Sequence, residues 1–513
     1  MKKLLTILLA LALALLPVLS VAEEGAAAVT PPVHRQDYDY SGVDLSQHYT
    51  VLMYLVGDKF AGTDAVVAKM NEILEKEYNT TLEIEFLPWS DYQTKYPLIL
   101  AGGEKVDLMY TASWCYLYTE AAKGSFFTLD EDFIKTNMPM TYANQKAESW
   151  GQTTINGKCV GVPCNMMVPN YKYVGIRQDL ADKYGIGPLT SWDDFMNYML
   201  TIAEKETPVS GIYAMNAASD TIELWRTYYE GYNAMGVYSD DFLTFYPEDG
   251  ALPEAESIRY AVTTDMFKQY AHDMKKLADA GCWSRSALSN TIPNYEAFAN
   301  LTGASLVWNG TIFNHMHTAE AAGAVTNAYD LSPNAHVFAE EYNNSVMAVA
   351  ENSENPERAA MVMDLIGFDY ELNLLGNLGI EGVNWEDRGN GYYFSDSTQE
   401  SYPANSNAMG WWMKKDYKIG VYDDARREAF DNNFKSRMVS NPCTTFVFDE
   451  TPVKAEMAAV SAVKNEYFGP LTLGLVDDVD ASIAEMTGKL EASGLQTIYD
   501  EFYRQYNEWK ASR

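Results

Sequence analysis

From about residue 48 the chain alternates between short, almost wholly apolar runs and longer stretches whose apolar residues recur with helical period. The run VLMYLVG at 51–57 is apolar on both faces, as a strand buried inside a parallel sheet requires. Val66, Val67, Met70, Ile73, Leu74 and Tyr78 then fall three and four residues apart, which predicts a helix with one buried face, capped by Thr63. A second strand is expected at 82–87, a helix at 91–100 and a third strand at VDLMYT, 106–111. Strand, helix, strand, helix, strand at this spacing predicts parallel pairing through right-handed crossovers.

Further along, TTINGKCVGVP at 153–163 places Asn156-Gly157 between two short strands, a hairpin signal. A second group of elements begins with a strand at 173–176 and continues through helices at 178–183, 192–203 and 221–232. The acidic stretch 234–258 reads as a loop, and a helix over 257–280 should stop at Gly281. A strand is expected at 304–308. Asn355-Pro356-Glu357 carries a capping side chain, a first-turn proline and a first-turn acid, so a helix starts there. Leu495, Ile498, Phe502, Tyr506 and Trp509 make a stripe on a final helix.

The first residues change the question. Lys2 and Lys3 precede an uncharged run over 4–19 with Pro17 near its end, and Ser20-Val21-Ala22 offers small residues at a signal-peptidase site. An uncleaved anchor is the rival reading, since such a run approaches the roughly 18 to 20 residues a membrane helix needs. Pro17 and the small-residue exit favour cleavage. No cysteine stands near that point for a lipid anchor, and the expected location is exported: periplasmic, cell-surface or extracellular. Residues 23–47 are small, polar and punctuated by proline, which reads as a flexible leader.

The net charge of −34 repels phosphate backbones and speaks against nucleic acid as a partner. A hydrophobic content of 47% is nevertheless ample for packed cores. Five cysteines, Cys115, Cys159, Cys164, Cys282 and Cys443, do not form a disulfide framework in so long a chain. Cys159 and Cys164 are near enough to pair, but buried free thiols are the favoured reading.

Catalytic and metal templates fail. GQTTINGK at 151–158 has one residue too many for a phosphate loop, and Gly185-Ile186-Gly187 lacks the third glycine of a dinucleotide site. His315 and His317 would share one side of a strand but have no partner ligands of metal spacing. Asp477, Asp478 and Asp480 lack the glycine and closing glutamate of a calcium loop. No two carboxylates stand out as a glycosidase pair. The expectation is therefore no catalytic residue, no metal and no cofactor.

What remains is aromatic content, with 11 Trp and 36 Tyr. Burial is the first expectation for any one tryptophan. Trp114, however, follows Ser113 just past the third strand, where open parallel sheets bind ligands. Trp308-Asn309-Gly310 also ends a strand, and Trp385 and Trp411-Trp412 sit in loops rich in Gly, Asn and Ser. Aromatic faces beside short polar side chains suit sugars, whose C–H faces cover the rings while hydroxyls take the hydrogen bonds.

Several segments carry a resemblance: LVGDK at 55–59, GGEKVDLMYTASW at 102–114, INGKCVGVP at 155–163, RQDLADKYGI at 177–186, NPERAAMVMDLI at 355–366, LGIEGVNWE at 378–386 and the closing SGLQTIYDEFYRQYNEWK. Together they resemble the extracellular solute-binding proteins of ABC-type carbohydrate importers, especially the LplA-like group. The resemblance implies an α/β, two-lobed periplasmic-binding-protein-like fold of type II, with a ligand cleft between lobes and a helical C-terminal extension. Lobe 1 would take 48–162 and part of 304–420, lobe 2 would take 163–303 and part of 350–480, and the helices of 481–513 would pack on a lobe. Crossings between lobes are implied near 162–165 and 304–309. Ligand contacts are implied at Asp58, Ser113, Trp114, Asn165, Trp225, Trp308, Asn309 and Trp385. The implied function is a monomeric receptor that captures an oligosaccharide and passes it to membrane permease subunits, with no enzymatic step. A peptide or polar-solute receptor would use the same aromatic supply, and a secreted carbohydrate-active enzyme is a third reading.

Overall fold

The computed structural model describes residues 32–103, 105–170, 173–218, 222–308, 312–387, 392–395, 401–402, 408–413, 418–419 and 425–513. The signal segment 1–22 and the start of the leader lie outside the described residues. Strand β1 (Tyr49–Val56), helix α1 (Thr63–Tyr78), strand β2 (Thr80–Leu87), helix α2 (Tyr92–Ala101) and strand β3 (Leu108–Thr111) form the opening unit. β1 pairs in parallel with both neighbours, Tyr49 opposite Thr80 through Val56 opposite Leu87, and Met53 opposite Leu108. Val66, Met70, Leu74 and Tyr78 are the buried apolar positions of α1, four residues apart, and they cover one face of that sheet. Thr63 does not cap the helix; Gly62 holds the cap position and Thr63 falls inside the first turn.

The same sheet is completed by chain that arrives from elsewhere. Its order is β2-β1-β3, then Val346–Val349, then Val162–Pro163, the last two each antiparallel to the preceding strand. Helix Pro356–Phe368 begins as expected: Asn355 accepts from the Arg358 N–H and Pro356 opens the first turn. These elements share one core running from Tyr40 to Val162 and from Val346 to Met413.

A second core gathers 174–307 and 443–506. Its central strand Tyr173–Arg177 is flanked by Ser305–Trp308 and Thr326–Tyr329, both antiparallel. The last helix, Leu495–Ala511, buries Leu495, Ile498, Phe502 and Tyr506 in this core. The molecule is thus a two-lobed α/β protein with a helical C-terminal region. Three short strands lie between the lobes: Val337–Glu340 pairs antiparallel with Val168–Pro169 and parallel with Met438–Val439.

Four expectations are corrected. The second crossing is not at 304–309, because Ser305–Trp308 is paired along its length inside lobe 2; the chain returns through Val337–Glu340. The acidic stretch after residue 233 is not all loop, since Ala234–Val237 and Ser239–Phe245 form an antiparallel ribbon. Its acids are partnered, Asp240 with Arg226 and Asp241 with Lys464 at 2.7 Å, while Phe242 stacks on Phe502 with centroids 4.3 Å apart. The described part of the leader is not free either. Arg35 is buried in ion pairs with Glu77 (2.8 Å), Asp369 (2.9 Å) and Glu371 (3.0 Å). Finally, His315 and His317 lie on helix Ile312–Ala321 rather than a strand. None of the five cysteines is in a disulfide; the Cys164 Sγ–H points to the Met166 carbonyl at 3.2 Å.

Asp364 fastens the leader to lobe 1. It accepts from Tyr40 Oη (2.7 Å) and from the N–H groups of Met140 (3.0 Å) and Thr141 (2.6 Å). Complete burial outweighs these donors and pushes its pKa from 3.8 up to about 6. The native state therefore keeps a proton that the unfolded chain releases between these values. Its contribution is full in acid and is lost as pH rises through about 6. Asp364→Asn, neutral throughout, should gain on the parent by on the order of 3 kcal/mol between pH 4 and pH 7. Denaturant titrations at both pH values check this; an unchanged difference refutes it.

Candidate functional site

Parallel β1, β2 and β3 end at one edge of their sheet, so the loops that follow them are neighbours. Trp89 comes two residues after β2 and Trp114 three residues after β3. Gly57, directly after β1, has φ +116°, a value that favours glycine, and a Cβ there would lie 3.7 Å from the Trp89 indole. The helix Ala408–Trp412 brings Trp411 to the same rim. The three indoles form a platform: centroids are 6.0 Å apart for Trp89 and Trp114, 5.9 Å for Trp89 and Trp411, and 6.5 Å for Trp114 and Trp411. Buried Tyr110 supports it from below, 6.1 Å from Trp114 and 6.0 Å from Trp411. Trp89 is 45% and Trp114 41% exposed, an orientation that leaves ring surface to a ligand.

The platform is locked to the returning crossing. Trp114 Nε1 donates to the Asn344 carbonyl at 3.0 Å, and the Ser113 N–H donates to the Asn343 carbonyl at 2.8 Å. Asn343 Nδ2 donates to Tyr118 Oη at 2.8 Å, whose proton goes to the Thr444 carbonyl at 3.2 Å. A cleft of about 610 Å³ opens beside Trp114, with a contiguous chamber of about 250 Å³ under Trp114 and Trp411.

Lobe 2 supplies the facing wall from helix Ile222–Gly231 and strand Ser239–Phe245. Glu223, Arg226, Tyr229, Glu230 and Asp240 line it. Arg226 pairs with Asp240 and lies 3.7 Å from Glu223, while Tyr229 Oη donates to Asp240 at 2.9 Å. The nearby carboxylates hold the Arg226 guanidinium firmly protonated. The wall is polar, charged and cross-linked, opposite an aromatic one. Glu341, on the floor, accepts from Gln152 Nε2 (2.8 Å) and the Asn441 N–H (3.1 Å), and burial raises its pKa from the ordinary glutamate value against the pull of those donors. Among the described residues no group of three His, Cys, Asp or Glu side chains is placed to hold a metal ion.

Of the residues read from the sequence, Ser113 and Trp114 lie on this cleft. Asp58 is exposed directly after Gly57, at the rim but not on the cleft wall. Asn165 holds the first crossing to lobe 1, accepting from the Lys146 N–H at 2.9 Å and donating to the Asn144 carbonyl at 3.2 Å. Trp225 is 2% exposed, ringed by Tyr229, Phe267 and Tyr270 inside lobe 2. Trp308 packs on Tyr295 with centroids 4.6 Å apart. Trp385 is buried and donates to the Gly379 carbonyl at 3.0 Å. Asn309 lies outside the described residues. Trp89, Trp411, Arg226 and Glu341 were not among the candidates. The strand-end rule that found Trp114 applies equally to Trp89, whereas the other three are assembled only by folding.

Comparison with known proteins gives a consistent picture. A family model described as bacterial extracellular solute-binding protein matches residues 55–368, and one described as a domain of unknown function matches 442–511. A curated relative from Streptococcus pneumoniae serotype 4, a carbohydrate ABC transporter substrate-binding protein, is 24% identical over 478 residues, covering 90% of each chain. The crystal structure of the N-glycan transport solute-binding protein of Streptococcus pneumoniae superposes with a TM-score of 0.72 at 20% identity, over 90% of this chain and 99% of that one. The same protein in complex with Man1GlcNAc gives a TM-score of 0.67 at 20% identity, over 90% of this chain and 100% of that one.

Platform and core tryptophans should differ sharply in what their removal costs. Trp225→Ala empties a core site and should cost about 3–5 kcal/mol. Trp89→Ala and Trp114→Ala, half-exposed, should each cost no more than about 1 kcal/mol. Chemical denaturation of the three variants measures this; equal losses would mean the platform is part of the core.

Proposed function

The chain belongs to the bacterial extracellular solute-binding protein family, and from that premise we propose that it is the receptor of an ABC importer for an oligosaccharide. The observation that carries this reading is Trp114, which packs with Trp89 and Trp411 and shares a chamber with Trp411, on a cleft whose other wall is charged. Indole faces cover the C–H surfaces of pyranose rings, and the carboxylates, Arg226 and the asparagines of the floor meet hydroxyls. The relative and the glycan complex described above support a sugar as the solute.

In this reading lobe 1 is 48–163 with 346–413, and lobe 2 is 173–330 with 440–513. Ligand touching both walls binds the closed arrangement more tightly than the open one and shifts the population by that difference. Closure also removes water and strengthens each remaining hydrogen bond. The closed monomer then docks on permease subunits in the membrane. Nothing in the proposed cycle changes the sugar chemically. The cleft acids are engaged as hydrogen-bond and ion-pair partners, Asp240 with Arg226 and Tyr229, Glu341 with Gln152 and Asn441. Export by a cleaved signal at 1–22 delivers the protein to the periplasm or cell surface. No helix among the described residues is long and apolar enough to cross a membrane.

A melting-temperature screen against neutral oligosaccharides tests the proposal. Ligand at about one hundred times its Kd should add roughly 2.7 kcal/mol of stability, and Trp114→Ala should abolish the shift while keeping the fold. Shifts with peptides alone would overturn the solute class. Release of new reducing ends from a polysaccharide would overturn the non-enzymatic reading.

A further inference from the structure

Helix Ile222–Gly231 and strand Ser239–Phe245 bring Arg226 and Asp240 together on the lobe 2 wall of the cleft. Among the described residues that line the cleft, Arg226 is the one cation, beside the acids Glu223, Glu230, Asp240, Glu340 and Glu341. An arginine open to a sugar site selects for an acidic sugar, because its planar guanidinium takes a carboxylate through two parallel N–H···O bonds. Here that fork is already occupied. Nη2 pairs with Asp240, and Nη1 lies 3.7 Å from Glu223. Both terminal nitrogens therefore face acids of the protein itself.

The pair is held from several sides. Tyr229 Oη donates to the other oxygen of Asp240 at 2.9 Å. A Cβ on Gly236 would lie 3.3 Å from that same oxygen and 3.1 Å from the Ser239 carbonyl, so the glycine leaves the carboxylate its room. Asn441 Nδ2 fastens the ribbon by donating to the Gly236 carbonyl at 2.7 Å. The next acid along, Asp241, is taken by Lys464 at 2.7 Å and is not part of the cleft lining. Of two adjacent aspartates, Asp240 is the one that meets the cleft.

We propose that Asp240 sets the charge of the solute: by holding Arg226 it keeps the guanidinium from pairing with a sugar carboxylate and restricts the cleft to uncharged oligosaccharides. The proposal rests on the carbohydrate reading above and adds to it which sugars are refused. A uronate at this wall meets Glu223, Glu230 and Asp240 with Arg226 already taken. A hydroxyl donates to the same carboxylates, so an uncharged sugar gains from the groups that repel a uronate.

The test is calorimetric titration of the full chain with neutral gluco-, manno- and galacto-trisaccharides. Each is compared with the same trisaccharide after oxidation of its primary hydroxyls to carboxylates, and with the methyl ester of that product. In the series that binds, oxidation should weaken wild-type binding roughly tenfold or more, and esterification, which removes the charge, should recover most of the loss. In Asp240→Asn the ratio of dissociation constants, oxidised over neutral, should fall about tenfold. Adding Arg226→Gln to Asp240→Asn should restore the wild-type ratio. Asp240→Ser, read in the same way, replaces Asp240→Asn if that variant does not fold. Oxidised and neutral sugars binding the wild type equally, an ester as weak as the acid, a ratio unchanged without Asp240, or a lowered ratio that survives loss of Arg226 would each overturn the proposal while the carbohydrate reading stands. If no trisaccharide in any form binds the wild type, the carbohydrate reading itself fails and the proposal falls with it.

Discussion

A single buried carboxylate sits where the segments joining the lobes come together, and the shape of the cleft depends on it. Glu341 follows the second crossing, accepts from Gln152 of lobe 1 and accepts from the N–H of Asn441, just past the strand Met438–Val439. Gln152 in turn accepts from the Asn343 N–H at 3.0 Å. A buried charge is tolerated only where donors replace its lost water. Here those donors come from separate stretches of chain. Satisfying one side chain therefore fixes the relative position of two crossings and of the lobe 1 loop beneath them.

From that node the order spreads outward to the ligand surface. The residues after Glu341 hold Ser113, Trp114 and Tyr118 through direct hydrogen bonds. The platform is thus attached both to the sheet that ends beneath it and to the segment that joins the lobes. Coupling between ligand and lobe position needs such a shared element, because a ligand shifts an equilibrium only through contacts that differ between its states. Across the cleft, Arg226, Asp240 and Tyr229 hold one another. A wall already organised in this way loses less side-chain freedom when a guest arrives.

Much of the architecture is written in local pattern. The apolar run of β1, the four-residue spacing of Val66, Met70, Leu74 and Tyr78, the Asn156-Gly157 turn and the Asn355-Pro356 helix start all depend on neighbours within a few residues. Order at the described end of the leader was hidden, because Arg35 and Tyr40 find their acids in Glu77, Asp364, Asp369 and Glu371, all distant in sequence. Acidic composition likewise concealed the ribbon after residue 233, whose aspartates are neutralised by Arg226 and Lys464.

The sequence by itself determined the opening α/β unit and, through the carboxyl ends of parallel strands, that Trp114 would stand just past a strand end at the edge of the sheet. Periodicity and strand polarity are properties of adjacent residues, so they survive without coordinates. Only the tertiary structure decided which tryptophans face the cleft, that Trp225 and Trp385 are buried while Trp411 joins Trp89 and Trp114, and where the chain crosses back between lobes. Those outcomes depend on how elements remote in the chain pack and satisfy one another's polar groups, which no local pattern records.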